Sequence, residues 1–273
     1  MKLKEKMQWL TSRNTGILAT NFYNLETLHG ELKAARELGQ PLILQLTSSS
    51  IDYMGLGTAV NAVRSGLEEY GVEGWLHLDH GGSVEIVQAC LDAGFDSVMI
   101  DGSELPFEEN IRITKEVVKR AASYHANVEA ELGYVAKLGQ SVTHTGFTQV
   151  AEAKTFVEET GVDALAVAIG TSHGFYKEEP ALQFDLLADI HAHIDAVLVL
   201  HGSSGVPEVQ LRKAISLGIC KVNLATEIKN IFMKTLQTIL RDTQEIDLRK
   251  VFPQATESVT LLVKEKLLVM QNN

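Results

Sequence analysis

A short apolar run followed by a longer amphipathic segment recurs eight times along the chain, and this alternation restricts the fold more than any other feature. The apolar runs, which we interpret as strands, are Gly16–Phe22, Leu42–Leu46, Trp75–Leu78, Ser97–Ile100, Asn127–Leu132, Ala164–Ile169, Ala196–Leu200 and Lys221–Leu224. The amphipathic segments, which we interpret as helices, are Leu25–Leu38, Thr58–Tyr70, Val84–Ala93, Phe107–Tyr124, Val150–Thr160, Leu182–His193, Pro207–Leu217 and Ile228–Arg241. Such alternation is typical of a parallel sheet that helices cover on both faces.

Eight strand–helix units favour an α/β fold in which residues 1–273 form a single (β/α)8 barrel domain. A doubly wound open sheet is the alternative, since it uses the same units without closing. The last amphipathic stretch, Ser258–Met270, follows the eighth unit and predicts an extra C-terminal helix.

The composition excludes several classes of protein. With 24 Lys and Arg against 35 Asp and Glu, the net charge of −11 argues against general binding to nucleic acid or to anionic membranes. It leaves a local phosphate site possible. The two cysteines, Cys90 and Cys220, do not suggest a disulfide framework. No apolar run approaches the ~20 residues of a membrane span, and no signal-peptide core follows the N-terminal charges, so we expect a cytoplasmic protein.

Three of the nine histidines lie at the junctions where predicted strands end and loops begin. His80 follows the third strand, His173 the sixth and His201 the seventh. In a parallel barrel these strand ends face one mouth, where three neutral imidazoles can hold Zn²⁺ and leave a position open for substrate. His77 lies inside a strand, and we expect it to be a hydrogen-bonded core residue.

Two further features stand at the same predicted mouth. Asp79 directly precedes His80, and a carboxylate there could move a substrate proton or, alternatively, only orient a histidine. Glycines and hydroxyls follow strands six to eight, in the segments 170–174, 202–205 and 223–226. Bare backbone N–H groups with hydroxyls near helix starts bind phosphate, although Gly-Ser-Ser-Gly also fits an ordinary turn.

A family resemblance covers the chain from about Gly16 to Lys229. It is carried, in order, by HLDHGG, SVMIDGS, VEAELG, DALAVAIGTSHG, VLVLHGSSG and LGICKVNLATE. In these motifs the chain resembles the class II, zinc-dependent ketose-bisphosphate aldolases. The tagatose-bisphosphate branch looks nearest because it carries Asn-x-Ala-Thr-Glu, as residues 223–227 do here. The fructose-bisphosphate branch usually has Asp or Asn at the position of Ala225.

The resemblance implies a role for each matching residue. The metal ligands would be His80, His173 and His201, with Glu131 able to reach the metal, and Asp79 would exchange the proton of the substrate C4 hydroxyl. The residues expected to bind dihydroxyacetone phosphate are Gly174, Lys177, Gly202, Ser203, Ser204, Asn223, Leu224, Ala225 and Thr226. Asp101 and Ser103 match the family's accessory metal region. The resemblance further implies one Zn²⁺ per chain, a monovalent cation and a homo-oligomer, a dimer or tetramer.

One segment departs from the family pattern. After VEAELG the family usually has a flexible Gly-Gly-x-Glu-Asp loop, whose acid is thought to exchange a substrate proton. Here no carboxylate follows until Glu152. Of the titratable groups that replace it, including Tyr134, His144 alone has an ordinary pKa near neutrality, so we predict that His144 is the proton shuttle, with a solvated loop histidine as the alternative.

The residue types also indicate the chemistry. Cleavage of a ketose between C3 and C4 leaves negative charge on the C1–C3 fragment, which a divalent metal held by neutral histidines can stabilise. A Schiff-base mechanism would need a lysine at a strand end; Lys221 starts the predicted eighth strand, and Lys137 lies in a loop. Two alternatives stay open: a zinc aldolase for a different ketose, with a 6-sulfonate or carboxylate, and a non-catalytic sugar-phosphate-binding relative.

Overall fold

Eight parallel strands form a closed barrel in chain order, in a computed structural model that describes residues 1–133, 135, 146–176, 178–241 and 243–271. The strands are β1 (Ile17–Asn21), β2 (Leu42–Thr47), β3 (Gly74–Gly81), β4 (Ser97–Ile100), β5 (Asn127–Leu132), β6 (Ala164–Val167), β7 (Val197–Leu200) and β8 (Ile219–Leu224). β1 pairs with β8, in a register that places Ile17 beside Lys221. This pairing confirms the barrel and excludes the open sheet.

The described part of the chain contains eleven α-helices. They are α1 (Leu3–Thr11), α2 (Leu25–Leu38), α3 (Ser48–Met54), α4 (Leu56–Tyr70), α5 (Val84–Asp92), α6 (Phe107–Ala121), α7 (Val150–Thr160), α8 (Phe184–His193), α9 (Glu208–Ser216), α10 (Thr226–Arg241) and α11 (Leu248–Val269). None of them is long and apolar enough to cross a bilayer. Each of the eight predicted helices is present, with small shifts at the ends, whereas α1 and α3 were not predicted.

The predicted C-terminal helix is present but starts earlier than expected. α11 begins at Leu248 and continues through Pro253. A proline inside a helix removes one backbone hydrogen bond. However, the buried residues Val251, Ala255, Val259 and Val263 repeat every four positions and form one apolar stripe. This stripe packs into the main core, and α11 packs against α2 and α10.

The barrel interior is apolar at the amino-terminal end of the strands. Side chains that point inward there form one buried cluster, which includes Ile17, Ile43, Trp75, Ala164, Ala166, Val197 and Val199. The helix α1 closes this end with Leu3, Met7 and Leu10, which belong to the same cluster. Full burial of each such side chain contributes about 1.5–3 kcal/mol. The strand–helix rhythm did not predict α1, because no strand precedes it.

Polar side chains occupy the middle of the barrel. His77 from β3, Glu129 from β5 and Lys221 from β8 are at most 1% exposed. The Nδ1 atom of His77 lies 2.7 Å from Ser97 Oγ, which confirms the prediction that His77 is a hydrogen-bonded core residue. Burial, followed by repulsion from Lys221, lowers the pKa of His77 to about 3, so its ring is neutral. The barrel therefore changes from apolar to charged toward the carboxyl ends of its strands.

A buried carboxyl group makes the stability of the fold depend on pH. Glu31 on α2 is fully buried; its Oε2 accepts a hydrogen bond from Thr20 Oγ1 (2.8 Å), while its Oε1 has no partner among the described residues. Burial raises the pKa of Glu31 from 4.5 to about 8, although the bond from Thr20 acts in the opposite direction. The folded protein therefore binds an extra proton between about pH 5 and 8, and stability falls as pH rises through this range.

Glu31→Gln is expected to remove this pH dependence. Glutamine cannot ionise. The free energy of unfolding of the variant should therefore exceed that of the wild type by a few kcal/mol at pH 8 and by much less at pH 5.5. Urea unfolding at both pH values measures the difference. Glu26→Gln, on the same helix but partly exposed, is the control. An equal difference between wild type and Glu31→Gln at both pH values would contradict the expectation.

Candidate active site

An irregularity in β3 lets two consecutive side chains serve one site. β3 extends to Gly81, beyond the predicted end at Leu78, so Asp79 and His80 lie within the strand. Consecutive strand residues normally point to opposite faces. Here the register with β4 shifts between Leu78 and Gly81, and His80 has φ of +51°. A β-bulge of this kind redirects a side chain, and the unusual backbone conformation costs about 1–3 kcal/mol.

The residue after the bulge has to be small. A Cβ atom on Gly81 would overlap the backbone oxygen of Met99 on the neighbouring strand. The glycine therefore lets β3 approach β4 closely beside the bulge. This local geometry explains why a glycine follows His80.

The structure brings together the three histidines at the carboxyl ends of β3, β6 and β7. One ring nitrogen of each of His80, His173 and His201 lies within 4.8 Å of the others. The Nε2 atom of His80 is 3.0 Å from Nδ1 of His201. The ring centroids of His80 and His173 are 5.0 Å apart. The three rings thus surround one point.

Carboxylates hold the outer nitrogens of two of these rings. Nδ1 of His80 donates to Asp101 Oδ2 (2.8 Å), and Nε2 of His201 donates to Glu129 Oε1 (2.8 Å). The inner nitrogens, Nε2 of His80 and Nδ1 of His201, consequently face each other. The buried Nε2 atom of His173 has no hydrogen-bond partner within the described residues.

This donor set fits a zinc ion. Zn²⁺ favours three imidazole nitrogens, each oriented by a second hydrogen bond to a carboxylate or carbonyl. Burial lowers the pKa of His80, but Asp79 and Asp101 raise it to about 9. Burial and the other two imidazoles lower the pKa of His173 to about 3.

Glu131 lies beside the histidines, as expected of a residue that can reach a metal. Its Oε2 atom is 3.7 Å from Nδ1 of His201 and has no hydrogen-bond partner within the described residues. Burial raises the pKa of Glu131 to about 7. With His80 and Asp101 it forms a second group of possible ligands. Asp101 also accepts hydrogen bonds from the backbone and hydroxyl of Ser103, at 3.1 and 2.7 Å.

Asp79 is held as a carboxylate next to the histidines. Its Oδ2 accepts from Asn21 Nδ2 (2.9 Å), and its Oδ1 accepts from Asn223 Nδ2 (3.2 Å). Burial alone would raise the pKa of Asp79, but the positive charge of its surroundings, from His80 first, and the hydrogen bond from Asn21 lower it to about 2. Oδ1 is 3.9 Å from Nε2 of His80. Asp79 is therefore an ionised proton acceptor at neutral pH, at the edge of the histidine cluster.

The loops after β6 and β7 are tied together. The hydroxyl of Tyr176 accepts a hydrogen bond from the backbone N–H of Ser172 and donates to the carbonyl of Gly202, both at 2.7 Å. Gly202 has φ of +68°, and a Cβ there would lie 2.6 Å from the backbone oxygen of Ser172. This close approach, which only glycine permits, fixes the loop of His173 against the loop of His201.

The hydroxyls predicted to bind substrate have partners within the protein. Ser203 Oγ donates to the backbone carbonyl of Asn223, and Ser204 Oγ accepts from the backbone N–H of Glu227 (3.3 Å). The side chain of Leu224 is buried in the core. Thr226 is the first residue of α10, so the start of this helix lies at the same mouth, although the backbone N–H of Glu227 is already bonded to Ser204. Backbone N–H groups are thus the donors that these loops offer to an anion.

The structure shows three polar residues at the site that the sequence interpretation missed: Asn21, Glu129 and Lys221. Each is a buried polar residue in an apolar strand, and Glu129 lies two positions before Glu131, so both point to the barrel interior. That alternation was the available signal. The proposed shuttle His144, Tyr134 and Lys177 lie outside the described residues.

The position predicted for Lys221 was wrong. β8 begins at Ile219, so Lys221 lies inside the strand, and its ammonium group is buried. Nζ donates to Glu129 Oε2 at 2.8 Å. A charged, ion-paired ammonium is not a nucleophile. Lys221 is therefore still excluded as a Schiff-base lysine. The reason is its buried ion pair and not a position at the start of the strand.

Comparisons with known proteins agree with this geometry. The family model for class-II fructose-bisphosphate aldolase matches residues 1–273. The D-tagatose-1,6-bisphosphate aldolase subunit GatY of Klebsiella oxytoca is 43% identical over 223 residues, which cover 80% of this chain and 78% of that protein.

Solved structures share the fold over nearly the whole chain. The YdjI aldolase from Escherichia coli K12 superposes with a TM-score of 0.88 at 32% identity, over 98% of this chain and 96% of that one. Fructose-bisphosphate aldolase from Campylobacter jejuni, at 20% identity and a TM-score of 0.84 over 98% and 93% of the chains, supports the fold alone. The chain belongs to the class-II fructose-bisphosphate aldolase family and is an aldolase, a carbon–carbon lyase.

Proposed function

We propose that this enzyme cleaves a ketose 1,6-bisphosphate of the tagatose or fructose type into dihydroxyacetone phosphate and glyceraldehyde 3-phosphate. It uses one Zn²⁺ per chain, held by His80, His173 and His201. The observation that supports this most is the convergence of three imidazole nitrogens within 4.8 Å, two of them oriented by carboxylates. The 43% identity to a tagatose-bisphosphate aldolase subunit favours the tagatose-type sugar.

The chain's own residues move the proton and hold the substrate. The bound ion would stabilise the negative charge that develops on the C1–C3 fragment. Asp79, ionised and held by Asn21 and Asn223, accepts the proton of the C4 hydroxyl as the C3–C4 bond breaks. The electrons of that bond remain on C3, and C4 leaves as an aldehyde. In the reverse direction Asp79 returns the proton.

The phosphate on C1 is assigned to the loops after β6, β7 and β8. We propose contacts from Gly174, Gly202, Ser203, Ser204, Asn223, Leu224, Ala225 and Thr226, with Lys177 as an additional cationic contact. Backbone N–H groups and the start of α10 support this assignment, because both favour an anion. Holding the phosphate aligns the C3–C4 bond with Asp79.

Further properties follow from the family and the composition. Residues 1–273 are proposed to act as one catalytic domain that assembles into a homodimer or homotetramer in the cytoplasm. Glu131 is proposed to contact the metal, and a monovalent cation is proposed as a second cofactor. Asp101 orients His80, while its place in the second group of possible ligands supports an accessory metal position.

A panel of ketoses tests the substrate. Aldehyde release is expected from tagatose or fructose 1,6-bisphosphate, and EDTA should abolish it until zinc is restored. Cleavage of only 6-sulfonated or 6-carboxylated ketoses would identify a different substrate. Binding of sugar phosphate without any aldehyde release would point to a non-catalytic relative.

His144 is proposed to exchange the C3 proton in place of the missing loop acid. When dihydroxyacetone phosphate is incubated with the enzyme in D₂O, one C3 hydrogen should exchange for deuterium. NMR measures the loss of its signal. His144→Ala should slow this exchange by at least ~10²-fold at unchanged zinc content. His193→Ala, an exposed histidine on α8, is the control.

Unaltered exchange in His144→Ala would exclude His144 as the shuttle. Absence of exchange in the wild type would point to a nucleophile other than dihydroxyacetone phosphate, and so to a different ketose.

A further inference from the structure

A chain of hydrogen bonds runs through the barrel beneath the histidine cluster. We propose that Lys221 is a positioning residue: its ammonium group holds Glu129, and Glu129 in turn keeps Nδ1 of His201 free to bind the metal. This inference rests on the proposed zinc site, although its test requires no aldol cleavage. Within the described residues, the ammonium group of Lys221 bonds to Glu129 and lies beside His77, and neither of these is a proposed metal ligand or substrate contact.

The contacts are buried and specific. Glu129 enters the barrel from β5 and is 0% exposed, while Lys221 enters from β8 and is 1% exposed. The two carboxylate oxygens of Glu129 have different partners. Oε2 accepts from Nζ of Lys221 at 2.8 Å, and Oε1 accepts from Nε2 of His201 at 2.8 Å. Glu129 thus connects a fixed cation to one histidine of the cluster.

The ammonium group sets the direction of the hydrogen bonds on its own side of Glu129, and the carboxylate, which can only accept, sets the direction of the bond from His201. A lysine ammonium can donate but cannot accept. Nζ of Lys221 lies 3.3 Å from Nε2 of His77, so that nitrogen has to accept, and Nδ1 of His77 donates to Ser97 Oγ. Toward the other side, Glu129 receives one bond from Lys221 and one from His201.

The contact between His201 and Asn223 agrees with these hydrogen-bond directions. The amide nitrogen of Asn223 lies 3.1 Å from Nε2 of His201, but it donates to Asp79. Because Nε2 carries the proton given to Glu129, it cannot also accept from Asn223. The lone pair of His201 is therefore on Nδ1, which faces His80 at 3.0 Å.

Loss of the ammonium group would loosen this arrangement. Oε2 of Glu129 would lose its donor, and a buried carboxylate without a countercharge is strongly disfavoured. Glu129 would then no longer hold the ring of His201 in one tautomer and orientation. Loss of a residue that supports a metal ligand typically weakens metal affinity ~10–100-fold.

Zinc affinity of Lys221→Met measures the effect. Methionine matches the length of the lysine stem without its charge, and the dissociation constant, obtained by chelator competition on the full-length protein, should rise ~10–100-fold. Lys234→Met, an exposed lysine on α10, is the control and should bind zinc as the wild type does. A change of less than twofold in Lys221→Met would overturn the proposal.

Two further measurements separate positioning from general loss of structure. In the metal-free wild type, ¹⁵N NMR of the histidine rings should show His201 protonated at Nε2, whereas Lys221→Met should populate both tautomers. Glu129→Met and the double variant Glu129→Met/Lys221→Met should bind zinc equally weakly, because Lys221 acts only through Glu129. Because replacing both buried charges is often tolerated, wild-type zinc affinity in the double variant would overturn the proposal even if neither single variant folds.

The opposite results would overturn the proposal. These are an unchanged His201 tautomer in folded Lys221→Met, or a double variant whose zinc affinity falls well below that of Glu129→Met. A wild-type enzyme that binds zinc but cleaves no ketose would instead refute the proposed function. The zinc affinities of the variants would still test the positioning role of Lys221.

Discussion

His201→Ala is expected to lose bound zinc and aldol cleavage together. His201 supplies Nδ1 to the cluster, and Oε2 of Glu131 lies 3.7 Å from that atom. Two imidazoles alone form a weak zinc site. Without the ion, the charge on the C1–C3 fragment loses several kcal/mol of stabilisation, so cleavage should fall by at least ~10³-fold.

Metal content and cleavage rate, measured on the same samples, check this expectation. The wild type should hold about one zinc per chain, as the three-histidine site implies. His191→Ala, which removes an exposed histidine on α8, should retain both zinc and activity. Full activity in zinc-free wild type would refute the metal site.

Asp79→Ala should separate metal binding from proton transfer. The carboxylate stands at the edge of the cluster, with Oδ1 3.9 Å from Nε2 of His80, and the three imidazoles remain, so the variant should keep its zinc but lose ~10²–10⁴-fold in cleavage. Removing it leaves the amides of Asn21 and Asn223 without their acceptor, which costs about 1–3 kcal/mol of stability. Asp79→Asn keeps the shape and an acceptor, and should be equally inactive but more stable.

Zinc content and thermal unfolding, measured beside the cleavage rate, distinguish the two roles of Asp79. If Asp79→Ala lost zinc and recovered activity when metal was added, Asp79 would only orient His80. Asp79→Asn removes the charge with little change in volume, so the variant should stay folded. Its loss of cleavage could then not be attributed to unfolding.

Local sequence pattern was sufficient to predict the barrel and the meeting point of the histidines. Apolar runs alternating with amphipathic segments predict parallel strands, and parallel strands present their carboxyl ends at one rim. His80, His173 and His201 therefore had to lie near one another once each was placed at a strand end. Asp79 shares that rim because it precedes His80.

The sequence interpretation failed where residues act away from their own strand–helix unit. The helix α1 closes the barrel but follows no strand. The serines at 203 and 204 were expected to offer hydroxyls to a substrate. These hydroxyls bond instead to backbone groups 20 and 23 positions away, at Asn223 and Glu227. Such partners depend on how neighbouring loops pack.

What the sequence determined by itself is the list of chemical groups and the rim at which they gather, because both depend on periodicity within short segments. The tertiary structure alone decided which nitrogen of each imidazole faces the centre and how deep the supporting charges lie. His201 and Glu129 are 72 positions apart, and Glu129 and Lys221 are 92 apart. Their contact requires the strands to close into a barrel in one register, and a shift of one residue would turn each side chain to the opposite face.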